Sequence, residues 1–289
     1  MRIFFHKLFD RRYNIGFVQE GIDEIMSGKP ITVNYLKHDL KNHWFADPFV
    51  LDVTASEIVI LVEDFDYDLR RGRISALYIN RDNYELKSLL PLLTLPTHLS
   101  YPIILREKGK VYVYPESGAS GKLTLYELDP KTMKLSEAGI LAYGDIADAT
   151  MTSFFGKSLM FATSHPHKDG KVLDVLEKNE EGYFEKKKDI AFHEVIARQA
   201  GDFFMYNDKI VRVAQESNQS YGHAVVLQEV IREDDVFSFK EIRRLYSPSK
   251  IFPLGLHTFN QYKDIIVVDS IGYYHPSVAA MVRKLANFF

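Results

Sequence analysis

Five segments of this chain share one pattern, and that recurrence limits the fold more than any other feature. They are "FADPFVLDVTASEIVILVEDFD" from residue 45, "LSYPIILREKGKVYVYPESG" from 99, "IADATMTSFFGKSLMFATSH" from 146, "QAGDFFMYNDKIVRVAQESN" from 199 and "GLHTFNQYKDIIVVDSIGYY" from 255. Each opens on a small or polar residue, runs through an apolar strand, turns on polar residues and returns as a second apolar strand. The opening residues Asp47, Tyr101, Asp148, Gly201 and His257 recur about every 50 residues, the size of a propeller blade. Runs such as "RISALYIN" (73–80), "KLTLYEL" (122–128), "KVLDVLEK" (171–178) and "HAVVLQEVI" (223–231) supply third strands. "KSLLPLL" and "RRLYSP" fit outer strands or crossovers, and "ITVNYLK" (31–37) is free to complete the last blade and close the ring. The pattern predicts an all-β, five-bladed β-propeller as a single domain over residues 1–289. A two-sheet sandwich is the alternative; five units in series with the same polarity favour the propeller.

Near the end, "HPSVAAMVRKLANFF" places Ser277 as an N-cap before Val278, Met281, Val282 and Leu285 at helical spacing, which predicts a short C-terminal helix. Packing on the propeller is its expected role, with a partner or a peripheral membrane contact as alternatives.

Composition narrows the chemistry. The 289 residues carry 17 Tyr and 20 Phe but one Trp, a usage suited to half-buried strands. No cysteine is present, which removes disulfides, thiolate catalysis and Cys-based zinc sites. A net charge of −3 gives no general attraction to nucleic acid. No apolar run reaches the length of a membrane span, and the first residues lack the apolar core of a signal peptide, so a cytoplasmic location is the expectation. "HPHKD" (165–169) and "ESGASGK" (116–122) read as turns rather than as a metal site and a phosphate loop. "EKNEEGYFEKKKD" reads as a solvated, charge-rich hairpin.

The repeat also gathers carboxylates. A second strand running antiparallel to the first returns its last residue to the edge where the first began. That brings Glu63 near Asp47, Glu116 near Tyr101, Glu216 near Gly201 and Asp269 near His257. Asp148 shares its rim with Thr163, Ser164 and His165. Asp47, Glu116 and Asp148 are the candidate catalytic residues. Glu63, His98, Tyr101, Arg198, Glu216, His257 and Asp269 are candidate contacts for a substrate. Crowded carboxylates repel, so some are held protonated unless a cation intervenes, an arrangement suited to acid/base work on a polyol. Polar residues at blade ends also satisfy backbone groups and tie blades together. No transition-metal site and no cofactor is expected, because the histidines are scattered among blades; a central calcium ion is compatible with the carboxylates.

These residues carry a family resemblance. "WFADPFV", "ILVEDFD", "HLSYPIIL", "VYPES", "DATM", "LMFATSH", "RQAGDFF", "IVRVAQESNQSYGHAV", "GLHTFN" and "VVDS" resemble the N-terminal propeller domain of plant glucosamine inositolphosphorylceramide transferases and its stand-alone bacterial relatives. "YNIGF" (13–17) fits the family's first segment, and the likeness runs from about Tyr13 to Asp269. The wider group is similar to the furanosidase clan of five-bladed propellers, the arabinanases, fructosidases and levansucrases. There the aspartate of "ADP" in the first blade acts as nucleophile or base, which points to Asp47. The clan's second-blade aspartate has no counterpart, since Tyr101 fills that slot. Its third-blade glutamate has no clear match either, where Asp148 opens the blade. The resemblance implies a sugar-active enzyme in surface polysaccharide or glycolipid building, acting on a carbohydrate or a nucleotide- or lipid-linked sugar. A non-catalytic sugar- or partner-binding propeller and a furanoside hydrolase with rearranged acids are the alternatives.

Overall fold

In a computed structural model that describes residues 11–168 and 170–273, twenty strands form five antiparallel four-stranded sheets. The first blade is β3 (His43–Val53), β4 (Glu57–Asp66), β5 (Arg71–Asn80) and β6 (Leu86–Leu93). The second is β7 (Ser100–Glu107), β8 (Lys110–Glu116), β9 (Lys122–Asp129) and β10 (Lys134–Tyr143). The third is β11 (Ile146–Thr152), β12 (Leu159–Ser164), β13 (Val172–Lys178) and β14 (Phe184–Ala191). The fourth is β15 (Phe204–Tyr206), β16 (Lys209–Glu216), β17 (Ala224–Glu233) and β18 (Val236–Tyr246).

The fifth blade closes the ring with the beginning of the chain. Its order is β19 (Gly255–Tyr262), β20 (Ile265–Tyr273), β1 (Arg11–Val18) and β2 (Val33–Tyr35). Residues 31–37 do reach this blade, as the sequence predicts, but only as its outermost strand. The third strand is "RRYNIGFV", which pairs with β20 from Arg11↔Tyr273 to Val18↔Ile266. A short α-helix, α1 (Ile22–Met26), links β1 to β2 and was not legible as a helix, being one turn long. The expected C-terminal helix at 277–285 lies outside the described residues.

Inner strands are buried on both faces, because each blade packs against its neighbours; outer strands such as β6 and β14 alternate with solvent. The apolar core is therefore divided into wedges between blades. Phe49, Ile103, Val113 and Met160 fill one, Phe161, Val175, Phe203 and Phe237 another. Val213, Phe259 and Val268 fill a third, and Ile15, Val50, Ile60 and Val267 join the fifth blade to the first. Each buried side chain of this size contributes about 1.5–3 kcal/mol. The wedges leave the axis to polar side chains, and there the carboxylates collect.

Candidate functional site

Three strand-opening residues share an unusual backbone. Asp47, Tyr101 and Asp148 have φ of 51, 47 and 48°, in the left-handed region that non-glycine residues rarely adopt. At each, the pairing with the second strand slips: between Ala46 and Phe49, Ser100 and Ile103, and Ala147 and Thr150. The resulting bulge turns the backbone N–H out of the ladder and toward a neighbouring blade. Asp47 N–H donates to Asp269 Oδ2 at 2.9 Å, Tyr101 N–H to Asp47 Oδ2 at 3.0 Å, and Asp148 N–H to Glu116 Oε2 at 3.0 Å. The carboxylates thus stitch the fifth blade to the first, the first to the second, and the second to the third.

Stitching does not use up every oxygen. Asp269 is saturated: besides Asp47 N–H it takes Thr258 N–H at 2.8 Å and the Thr258 hydroxyl at 3.0 Å, and His257 Nδ1 lies 3.1 Å away. Burial opposes its charge, but His257 and these donors outweigh it and hold its pKa low. Asp47 differs. Its Oδ1 is buried without a hydrogen-bond partner, 3.3 Å from His257 Nδ1. Burial, with the charges of Asp269 and Asp148, pushes the Asp47 pKa up against the pull of His257. Asp47, His257 and Asp269 are the one trio of metal-ligand types that converges among the described residues. A cation fits it poorly, because both Asp269 oxygens already accept protein donors and His257 Nδ1 lies between two acceptors.

A second centre lies on the third-blade side of the mouth. Arg198 donates from Nε to Asp148 Oδ2 at 2.7 Å, with Nη2 2.5 Å from the same oxygen and 3.9 Å from Glu116 Oε2. Glu116, desolvated and facing Asp148, is pushed up to about 8 despite the arginine. Glu116 is therefore largely protonated at neutral pH, with Arg198 bound to its neighbour Asp148. The backbone of Arg198 is held by the fully buried Arg212, which has no carboxylate partner among the described residues. Arg212 donates to Gln199 and to the carbonyls of Ala197 and Arg198, reaches Gln228 at 2.8 Å, and lies 5.2 Å from the Phe239 ring. Burial lowers its pKa to about 9. On the first-blade side Glu63 Oε1 lies 3.1 Å from His98 Nε2, and burial raises Glu63 to about 7. Gly72 N–H fixes the His98 ring through Nδ1 at 2.9 Å, and a Cβ on Gly72 would come within 2.9 Å of that ring.

The structure thus brings Asp47, Glu63, His98, Glu116, Asp148, Arg198, His257 and Asp269 to one rim. Two predicted contacts differ. Tyr101 is 1% exposed, its ring edge-on to Phe49 and its hydroxyl on Thr150 at 3.1 Å. Only its backbone serves the rim, because the bulge sends its side chain into the wedge. Glu216 is turned into its own loop, bound to His223 Nδ1 at 2.8 Å and Asn218 N–H at 2.7 Å. Four rim residues escaped the sequence reading: Tyr13, Trp44, Tyr221 and the supporting Arg212. Tyr13 lies between Trp44, tilted against it at 4.8 Å, and His257, edge-on at 5.5 Å. A strand assignment for "YNIGF" would have placed it there. His165 and His167 lie in the turn between β12 and β13, and Asp169 falls outside the described residues.

Residues 31–250 match the family described as "Glucosamine inositolphosphorylceramide transferase 1, N-terminal". Among curated proteins, the chain is 23% identical over 225 residues to glucosamine inositolphosphorylceramide transferase 1 of Arabidopsis thaliana, covering 74% of this chain and 28% of that protein. It is 22% identical over 197 residues to the protein of the same name from Oryza sativa subsp. indica, covering 65% of this chain and 26% of the relative. It therefore spans little more than a quarter of these relatives. Among solved structures, a GH43_1 enzyme from Xanthomonas citri superposes with a TM-score of 0.52 at 11% identity, covering 80% of this chain and 87% of the other. An alpha-L-arabinofuranosidase from Lactobacillus brevis gives 0.52 at 14% identity, with 77% and 80% covered. At such identities the likeness is one of fold.

Proposed function

This chain belongs to the glucosamine inositolphosphorylceramide transferase 1 N-terminal family, and from that membership and its channel mouth we propose a carbohydrate-active enzyme. It transfers or modifies a glycosyl unit in the building of a surface polysaccharide or glycolipid, working in the cytoplasm on a nucleotide- or lipid-linked sugar. The observation that carries this reading is Asp47 Oδ1, a buried carboxylate oxygen that accepts no hydrogen bond and has His257 Nδ1 as an ion-pair neighbour at 3.3 Å. A sugar hydroxyl or an anomeric carbon is what such an oxygen is placed to meet, as base or as nucleophile. On the same rim Glu116 is held protonated by burial and the nearby Asp148, and Arg198 is bound to Asp148.

A second reading, a sugar-binding propeller without catalysis, is favoured by the stitching role of Asp269, Glu116 and one Asp47 oxygen. Asp47→Asn separates the two. We expect the variant to fold and to lose at least about a hundredfold in turnover, the low end for a positioned base. The assay is release of the aglycone or nucleotide from phenyl glycosides and nucleotide-linked sugars, with melting temperature taken on the same sample. A variant that melts lower yet turns over at the wild-type rate makes Asp47 a structural group.

A further inference from the structure

Tyr221 stands at the rim in the loop between β16 and β17, a segment whose polar run "ESNQSYGH" reads as an ordinary turn. The loop is rigid. Ser217 N–H donates to Val195 O at 2.9 Å, Gly222 N–H to Ser217 Oγ at 3.1 Å, and His223 N–H to Ser220 O at 3.2 Å. Gly222 has φ of +64°, and a Cβ there would strike His257 Cδ2 at 2.8 Å, so only glycine lets the loop close over that ring. The closure lays the Tyr221 hydroxyl 3.0 Å from His257 Nε2 while leaving the residue 40% exposed. The guanidinium of Arg198 lies 5.6 Å from the Tyr221 ring.

The hydrogen positions follow from the partners. His257 Nδ1 faces two carboxylate oxygens, Asp269 Oδ2 at 3.1 Å and Asp47 Oδ1 at 3.3 Å, and neither has a hydrogen to offer while ionised. Nδ1 therefore carries a proton. With the Asp269 carboxylate, saturated with donors, on that side of the ring, Nε2 carries one as well and donates to the phenol oxygen. That leaves the Tyr221 O–H free to point away from His257, into the open mouth.

We propose that Tyr221 is the proton donor of the rim, with His257 and Asp269 as the residues that position it. The proposal rests on the carbohydrate-active reading above. As the bond between the anomeric carbon and the leaving oxygen breaks, its electron pair stays on that oxygen, which takes the Tyr221 proton. The phenolate left behind is held by the His257 Nε2–H, with the positive charge of the Arg198 guanidinium 5.6 Å from its ring. The attacking hydroxyl loses its proton to Asp47 as its oxygen bonds to the anomeric carbon, and solvent returns a proton to Tyr221 and removes the one from Asp47. Burial opposes a charge on His257, but Tyr221, Asp269 and Asp47 outweigh it and its pKa stands well above the ordinary imidazole range. A phenol titrates at about 10 in water, so Tyr221 holds its proton at neutral pH until the transfer. Glu116 is the competing donor, but it faces the Asp148 carboxylate, and Asp148 N–H occupies one of its oxygens.

Two measurements on the full chain test this. In protein labelled with 15N-histidine, with the His257 signals identified by their loss in His257→Gln, both ring nitrogens should be protonated at pH 7.5. A bare Nε2 at that pH would mean that the tyrosine proton is spent on His257, and overturns the proposal. Tyr221→Phe, Glu116→Gln and Asp47→Asn are then compared on phenyl and 2,4-dinitrophenyl glycosides of one sugar. Tyr221→Phe should lose about a hundredfold on the phenyl glycoside, which needs a proton to leave, and under about fivefold on the dinitrophenyl one. The same selective loss in Glu116→Gln, with Tyr221→Phe unaffected on both, moves the donor to Glu116 and leaves the broader reading intact. Wild-type protein inert toward both glycosides and toward nucleotide-linked sugars ends that broader reading, and the donor with it.

Discussion

Glu116 carries the largest testable consequence of crowding at the residue scale. Its folded pKa of about 8, and that of Glu63 near 7, stand above the ordinary glutamate value of 4.5. Between those values the folded protein binds more protons than the unfolded chain, so stability falls as pH rises. The loss begins near pH 4.5, grows through 7 and levels off above about 8. Melting temperature should therefore decline from pH 5 to pH 8.5, and Glu116→Gln should flatten part of that slope. A wild-type melting temperature that rises over the same interval would contradict the assignment. The sequence exposed Asp47 because an aspartate before proline, flanked by aromatic and apolar residues, has no ordinary place in a strand. It concealed Tyr221 and Arg212, since a tyrosine in a polar turn and an arginine in "KIVRVAQE" each have a common solvated reading. Their importance comes from contacts distant in sequence, with His257 of the next blade and with the carbonyls of Ala197 and Arg198, which no local pattern encodes.

At the scale of the element, the strand-opening bulge does two jobs: it interrupts the inner ladder and it sends an N–H back to the preceding blade. The fourth blade solves the same problem without a side chain. A Cβ on Gly201 would sit 2.0 Å from the carbonyl oxygen of Phe259 and 2.9 Å from Asn260 Oδ1, so glycine alone lets the fourth and fifth blades meet there. Gly201→Ala should cost about 3 kcal/mol or more, because the obstructing atom is backbone and has nowhere to retreat. Thermal or urea unfolding of the variant measures it; a loss under about 1 kcal/mol would mean that the blades can separate slightly without penalty. The second blade's outer strand, Lys134–Tyr143, went unread, but alternating apolar residues and polar turns made most inner hairpins and third strands legible, with outer strands as fragments in "KSLLPLL" and "RRLYSP". The fourth blade's inner strand was less so. Its pairing shrinks to an isolated bridge at Gln199 and the three residues Phe204–Tyr206, while the sequence reads as one continuous run.

The whole molecule is a ring held shut by β1. That strand was the hardest to place, because its partner β20 lies at the other end of the chain and "YNIGF" resembles an isolated apolar patch until the fifth blade lacks a third strand. Removing residues through Val18 should strip blade five of its third strand and expose the edge of β20. The expected result is a broad, early thermal transition and association through the open edge, read by calorimetry and by sedimentation. A truncated chain that stays monomeric and melts as sharply as the full one would show that the wedges alone keep the circle shut. Closure has a further consequence in time. Val18 pairs with Ile266, about 250 residues later in the chain. At a synthesis rate of about 5–20 residues per second, the strand that completes the protein waits roughly 10–50 s for its partner to be made. During that wait the first-born strand is the last to find its place. Its buried faces, Asn14 through Phe17 in the finished protein, are then open to whatever else the cell offers.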